Sequence, residues 1–126
     1  MVKAVFAAFT ERDVDGVLAH ADPDIVFIPV TGEYAGRTEP YRGHDGLRQY
    51  FRDLSMVWDE LRIAPGEFRQ NGDTILVTGR VSARSPARLV AGSTGWIWRL
   101  RDGLVVYIRV YESAADAMAA FEGRGA

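Results

Sequence analysis

The sequence predicts an α+β fold in which helices come first and an antiparallel sheet follows. Apolar residues recur every three to four positions in residues 2–18 and 47–58, and every second position over much of residues 61–111. Residues typical of tight turns separate the alternating segments, which predicts a meander of strands. Because one side of these strands is apolar, we expect the helices to cover that side of the sheet.

The length and charge of the chain exclude several classes of protein. A chain of 126 residues is large enough for one core, so residues 1–126 are predicted to be a single domain. Its 15 basic and 17 acidic residues give a net charge of -2, which offers no attraction to nucleic acid or to an anionic membrane. The chain has no cysteine, no secretory signal and no run of membrane-spanning length. A cytoplasmic protein is therefore expected.

The first half of the chain is predicted to hold three helices and one short strand. Asp13 can cap the second helix, and Pro23 ends it because proline disfavours helical backbone in the preceding residue. The strand covers residues 25–28, and the aperiodic segment from Thr31 to Gly43 is predicted to be a loop. The apolar faces of the first and third helices consist of Val2, Val5, Phe6 and Phe9, and of Leu47, Tyr50, Phe51, Leu54, Val57 and Trp58.

Four strands and a final helix are predicted to follow. The strands run roughly over Leu61–Gln70, Thr74–Ala83, Arg88–Leu100 and Leu104–Tyr111, with turns at 71–73, 85–87 and 101–103. An alanine-rich helix is predicted from Ser113, which can cap it, to just before Gly123. The last two strands carry many of the largest side chains, so their pairing decides whether an apolar pocket forms.

The last hairpin can pair in two registers, and a shift of one residue turns one strand over. With a two-residue loop at 102–103, the tryptophans of one strand share a face with Arg109 of the other. With a three-residue loop at 101–103, apolar residues separate from arginines, and no arginine is buried without a partner. We therefore predict the three-residue loop. The inner wall is then Trp96, Trp98, Leu100, Leu104, Val106, Ile108 and Val110, and the outer face is Ile97, Arg99, Val105, Tyr107, Arg109 and Tyr111.

The outer face of this hairpin is predicted to form a homodimer interface. Tyrosine and arginine are enriched in interfaces, and the residues concerned are Ile97, Tyr107, Arg109 and Tyr111. Scattered side chains that face solvent are the alternative. On the neighbouring strand the alternation places Val77 and Val81 inward and Arg80 outward; with the opposite alternation, Arg80 would be an anion-binding residue in the pocket.

Three local patterns, taken in order along the chain, point to a family. They are the helix start Asp13-Val14-Asp15-Gly16, the entry Tyr41-x-Gly43-x-x-Gly46-Leu47 to the third helix, and the Asp102-Gly103 hairpin. Together they resemble the nuclear transport factor 2-like superfamily and its SnoaL-like and ketosteroid isomerase-like branch, over nearly the whole chain. The resemblance implies a conical fold in which a curved, mostly antiparallel sheet wraps around three N-terminal helices, with a short C-terminal helix. It also implies a deep pocket and dimerisation through the outer sheet face.

The resemblance does not select a reaction. Aligned on these patterns, the base, tyrosine and acidic donor of ketosteroid isomerase fall on Ile28, Val5 and Trp96, and a last-strand acid of limonene epoxide hydrolase-like enzymes falls on Val110. Those chemistries are therefore not supported. The predicted catalytic residue is Glu112, an acid or base next along the apolar face, and its alternative is an exposed carboxylate at a strand end.

The predicted pocket is apolar and holds no cofactor or metal. Tyr34 is expected as a lid residue or as a loop anchor, and Tyr50 as a hydroxyl in the pocket or at the surface. The two histidines, His20 and His44, lack acidic residues at metal-ligand spacing. Trp96 and Trp98 are predicted to line the pocket, with core packing as the alternative, and the other predicted lining residues are Trp58, Ile28, Ile108 and Val110.

Three functions stay open. A cofactor-independent isomerase, dehydratase or cyclase acting on an apolar polycyclic or polyketide-like compound predicts an enclosed cavity with a shifted acid. A binding module for such a compound predicts the cavity without that acid. An assembly domain predicts a cavity filled by Trp96, Trp98 and Tyr50. The first two are favoured over the third.

Overall fold

The computed structural model describes residues 2–29, 40–86, 88–111 and 113–125. The helices are α1 (Val2–Glu11), α2 (Val14–Leu18), α3 (Gly43–Val57) and α4 (Ala114–Gly125). The strands are β1 (Ala21–Ile28), β2 (Tyr41–Arg42), β3 (Glu60–Asn71), β4 (Thr74–Ser85), β5 (Arg88–Arg101) and β6 (Leu104–Tyr111). They form one sheet in the order β2-β1-β6-β5-β4-β3, in which β1 and β6 run parallel and the other neighbours antiparallel. The predicted α+β class is confirmed.

Two of the helices, α2 and α4, begin where the sequence places capping residues. The Asp13 carboxylate accepts a hydrogen bond from the Gly16 backbone N–H at 3.1 Å, and the Ser113 hydroxyl accepts one from the Asp116 N–H at 3.1 Å. The last helix continues to Gly125, beyond the predicted end before Gly123, because a glycine weakens a helix without always ending it. None of the helices in the described part of the chain combines the length and the apolarity needed to cross a membrane.

The first strands extend further than the sequence predicts. β1 begins at Ala21 rather than at residue 25, and its pairing with β6 shifts register between Ala21 and Val26. Pro23 lies in that irregular stretch, where a strand tolerates a residue without a backbone N–H. The end of the predicted loop forms β2, which pairs with β1 through Tyr41 and Arg42. Two residues are too few to produce a periodic pattern.

The final hairpin combines features of both predicted registers. Its loop is the two-residue turn Asp102-Gly103, with φ angles of 54° and 78°, so the predicted three-residue loop is wrong. Leu100 pairs with Val105 and Arg99 with Tyr107, which leaves residue 106 as a bulge. Beyond the bulge the predicted faces are restored, although the pairing is not the one that a three-residue loop would give. Trp98 pairs with Ile108 and Trp96 with Val110, so these four side chains share the inner face.

The bulge also changes which residues near the turn are inside. Val105, predicted to lie on the outer face, is 1% exposed and belongs to the main core, whereas Leu104 and Val106 are only half-buried. Before the bulge the strand is shifted by one residue relative to the prediction, and a shift of one residue exchanges the two faces.

Part of the outer face of the sheet is covered by α4. Leu76, Ile97 and Ala117 form a second buried cluster, against which Tyr107 and Tyr111 pack. Ile97 is 0% exposed within a single chain, so its burial does not need the second copy that the sequence predicts. Arg109 is exposed, and its guanidinium lies 4.8 Å from the centre of the Tyr111 ring.

Candidate functional site: an apolar cavity

A cavity of about 390 Å³ lies between the helices and the inner face of the sheet. Residues of α1, α3, β1 and the four strands of the meander contribute to its wall. The lining residues are Phe6, Phe9, Phe27, Pro29, Tyr50, Leu61, Ile63, Val81, Ala83, Ala91, Gly92, Ser93, Thr94, Trp96, Trp98, Val110 and Tyr111.

Aromatic rings from α1 and β5 form one side of the cavity. Trp96 and Trp98 are separated by one residue on β5, so both point to the inner face. The Phe6 ring meets them edge to face, with centroid distances of 4.8 Å to Trp96 and 5.1 Å to Trp98. Such contacts stabilise aromatic pairs by about 0.5–1.5 kcal/mol beyond their buried area. This side of the cavity is therefore formed by rings in direct contact.

A second aromatic group lies where α1, α3 and β1 meet. Phe27 contacts Tyr50 edge to face at 4.6 Å, and Phe9 contacts both, at 5.7 Å and 6.0 Å. Tyr41 also contacts Tyr50, at 5.5 Å, and its hydroxyl donates a hydrogen bond of 2.6 Å to Asp53. The Tyr41 hydroxyl therefore anchors the aromatic group to a carboxylate that is not part of the cavity wall.

The described wall of the cavity carries no aspartate, glutamate, histidine, lysine or arginine side chain. Its polar side-chain groups are the hydroxyls of Tyr50, Ser93 and Thr94 and the indole N–H groups of Trp96 and Trp98, since the Tyr111 ring packs on the outer cluster. Thr94 is 4% exposed and donates a hydrogen bond of 2.6 Å to the Tyr111 backbone oxygen. Burial raises the pKa of Tyr111, against the opposing effect of the Arg109 guanidinium. Nothing in this part of the wall is a ready acid or base near neutral pH.

The site has no described metal-binding group and one unusual polar atom. In residues 2–29, 40–86, 88–111 and 113–125, no three histidine, aspartate or glutamate side chains are grouped to hold a metal ion. The Trp98 Nε1 is buried and has no hydrogen-bond partner in the described structure. A buried donor without an acceptor is uncommon and calls for an explanation.

The structure brings together part of the predicted site. Tyr50, Trp96, Trp98 and Val110 line the cavity. The other described candidates, Trp58, Ile108 and Ile28, are not part of its wall. Trp58 and Ile108 are each 1% exposed in the core, and half-buried Ile28 follows Phe27 on β1, where successive side chains point to opposite faces. Tyr34 and Glu112 lie outside the described residues.

Sequence reasoning missed the phenylalanines of the wall. Phe6 and Phe9 belong to the predicted apolar face of the first helix, but a helical face that packs on a core has the same pattern as one that lines a cavity. The pattern around Phe27 predicts only a buried strand. The direction of Arg80 is now determined: its side chain is exposed, while Val81 lines the cavity.

Comparisons with known proteins cover nearly the whole chain and agree on one family and one fold. The model of the SnoaL-like domain family matches residues 2–108. The crystal structure of TerC co-crystallized with polyporic acid is 25% identical, with a TM-score of 0.80, over 97% of this chain and 92% of that chain. An NTF2-like protein of unknown function from Burkholderia pseudomallei is 27% identical, with a TM-score of 0.80, over 94% of this chain and 92% of that chain.

A more distant structure extends the likeness in fold. A protein of ketosteroid isomerase-like fold from Catenulispora acidiphila, in complex with trimethylamine, is 13% identical, with a TM-score of 0.75. The match covers 94% of this chain and 88% of that chain. At this identity the likeness concerns the fold alone. A search of curated proteins found no match.

Proposed function

The chain belongs to the SnoaL-like domain family, within the NTF2-like superfamily, and from this premise we propose that it binds a neutral, apolar aromatic compound in its cavity. The ligand class proposed is polycyclic or polyketide-like. One observation carries the proposal: the cavity measures about 390 Å³, and its described wall is aromatic and aliphatic without a charged side chain. Ligand sites have volumes of about 300–1,000 Å³ and mostly apolar walls with a few polar groups.

The chemistry of the wall supports a neutral ligand over a charged one. A charged group moved from water into an apolar site needs an opposite charge or several hydrogen bonds, and the described wall offers hydroxyls but no charge. The rings of Phe6, Trp96 and Trp98 favour an aromatic ligand, which can stack on them or meet them edge to face. The co-crystallisation of TerC, which is 25% identical, with polyporic acid supports a small organic ligand for this chain but not its neutrality, which rests on the wall alone.

A titration of tryptophan fluorescence tests binding. Steroid, terpenoid and aromatic polyketide compounds, together with polyporic acid, are added to the purified protein, and native mass spectrometry counts the bound molecules. At least one compound is expected to shift the emission saturably. Val81→Phe, which fills the cavity, should weaken binding about tenfold or more, whereas Ser82→Phe adds the same ring on the opposite face of β4 and should not. No binding by any compound would contradict the proposal and favour an assembly domain.

Catalysis is a separate part of the proposal and depends on Glu112. This residue follows Tyr111 in the sequence, and the described wall offers no carboxylate. We propose Glu112 as the acid or base of a cofactor-independent isomerase, cyclase or lyase reaction on the bound compound. Glu112→Gln should then stop turnover of a bound compound while leaving its dissociation constant within about twofold. If turnover survives this change, Glu112 is not the acid or base of the reaction.

Homodimerisation and a cytoplasmic location stay proposals that rest on the sequence. In the single chain α4 covers the outer face at Ile97, so a dimer would have to use the exposed part of that face, such as Arg109. Sedimentation velocity of the wild type and of Arg109→Ala tests this. A dimer that Arg109→Ala converts to a monomer would support the proposal, and a wild-type monomer would contradict it.

A further inference from the structure

Trp98 lines the cavity, and its indole N–H is a buried donor. Trp98 is 0% exposed, and its Nε1 has no acceptor among the described residues. A buried tryptophan N–H usually finds a partner, because it has lost its hydrogen bond to water. The absence of an acceptor is therefore a costly feature that nothing in the described core offsets.

The groups around Trp98 do not supply the missing oxygen. Its described ring contact is Phe6, edge to face at a centroid distance of 5.1 Å, and an aromatic ring is a weak acceptor. Its cross-strand neighbours are Ile75 on β4 and Ile108 on β6, whose side chains have no polar atoms. A partner for the N–H must therefore come from outside this apolar group.

We propose that the compound bound in this cavity carries a neutral carbonyl oxygen, as in an aromatic ketone or quinone, and that this oxygen accepts a hydrogen bond from the Trp98 N–H. The inference rests on the proposed function and adds a polar group that the ligand must possess. The indole nitrogen only donates, so its partner must be an acceptor. A carbonyl is favoured over a hydroxyl because a hydroxyl would bring a second donor that these apolar neighbours cannot satisfy.

The position of Phe6 indicates how the oxygen reaches the donor. The N–H is closed to water in the unliganded chain, so a neighbouring ring must shift when the ligand binds. Phe6 lies on α1, where Lys3, Ala4 and Ala7 on the opposite side are exposed. The strands on both sides of Trp98 are hydrogen-bonded to β5, so the shift is assigned to the Phe6 side chain rather than to the sheet.

The test uses two probes of nearly the same shape, fluorenone, which has a carbonyl oxygen, and fluorene, which has none. Equilibrium dialysis gives both dissociation constants without relying on tryptophan emission. The measured quantity is the ratio of the fluorene constant to the fluorenone constant, so general effects on the cavity cancel. Trp98→Phe removes the N–H, and Trp96→Phe removes a similar ring area from the same face of β5 and is the matched control.

The ratio should fall about tenfold in Trp98→Phe and stay within about twofold in Trp96→Phe, since a tenfold change corresponds to the loss of one good hydrogen bond. If Trp98→Phe does not fold, replacing Trp98 with benzothienylalanine keeps the two-ring shape without the N–H and should give the same fall. An unchanged ratio in either folded variant would overturn the inference and leave the proposed function intact. If wild-type protein binds neither probe, the proposed ligand class fails as well.

Discussion

The two faces of β4 and β5 are closed in different ways. On the inner face, Trp96 and Trp98 meet the Phe6 ring of α1, and a cavity of about 390 Å³ remains. On the outer face, α4 packs on Leu76 and Ile97, which are 2% and 0% exposed. The residues concerned are next to each other in the sequence. The difference therefore arises from what covers each face rather than from the strands themselves.

The size of the facing side chains explains the contrast. Gly95 lies under Ala117 of α4, and a Cβ built on Gly95 would overlap the Cβ of Ala117. The helix and the strand can approach this closely because both residues are small. Large rings on α1 and β5 instead hold their elements apart, and rings that meet edge to face leave space beside them. A face lined by large side chains can thus be the less completely filled one.

The largest effect on stability is expected when a side chain is added at Gly95, where α4 packs on β5. Gly95→Val would force α4 away from the sheet, and overpacking of this kind costs about 1–3 kcal/mol. We expect a loss of about 3 kcal/mol in the free energy of unfolding, measured with urea, and faster proteolysis within α4. Gly92→Val is the control, because nothing lies within 4 Å of a Cβ built there. Equal losses in the two variants would contradict the close packing of α4.

Removing an isoleucine side chain from each face should give a smaller difference in the free energy of unfolding. This change removes volume, whereas Gly95→Val adds it. Ile97→Ala should cost about 3 kcal/mol, because it leaves a new void in a filled cluster. Ile63→Ala should cost only about 1 kcal/mol, because the half-buried Ile63 side chain already borders the cavity and gives up fewer contacts. Urea unfolding of both variants measures the difference. Similar costs would mean that the cavity wall is as tightly packed as the outer cluster.

The sequence predicted the element order well because long periodic segments determine it. The third helix and the four strands of the meander were predicted to within about two residues at each end. The pairing of the last hairpin was only half correct, since a bulge at residue 106 depends on how a curved sheet packs and leaves no periodic trace. The same bulge explains why Ile108 and Val110 share the inner face with Trp96 and Trp98 although the loop has two residues.

The site was less predictable than the fold. Alternation shows which side of a strand is apolar, and so it found Trp96, Trp98 and Val110, but it cannot distinguish a filled core from a cavity. The cover of the outer face was missed for a related reason. Tyr107 and Tyr111 suit a homodimer interface, yet they suit an alanine-rich helix of the same chain equally well.

The smallest effect is expected from the phenol of Tyr111, which packs against the cluster under α4. Burial raises its pKa above the ordinary value of 10.0, because the folded chain disfavours the phenolate, although Arg109 opposes this. Above pH 10 the folded state then binds more protons than the unfolded state, so this group contributes stability below that pH and loses it as the pH rises further.

Tyr111→Phe removes this dependence. The free energy of unfolding, measured in urea from about pH 8 upward, should therefore fall less steeply above pH 10 in the variant than in the wild type. When Gly95→Val is also present, the proteins with and without Tyr111→Phe should lose stability equally steeply above pH 10. The reason is that α4 no longer covers the phenol. Slopes that differ equally in both backgrounds would show that the sheet, and not α4, keeps Tyr111 from water.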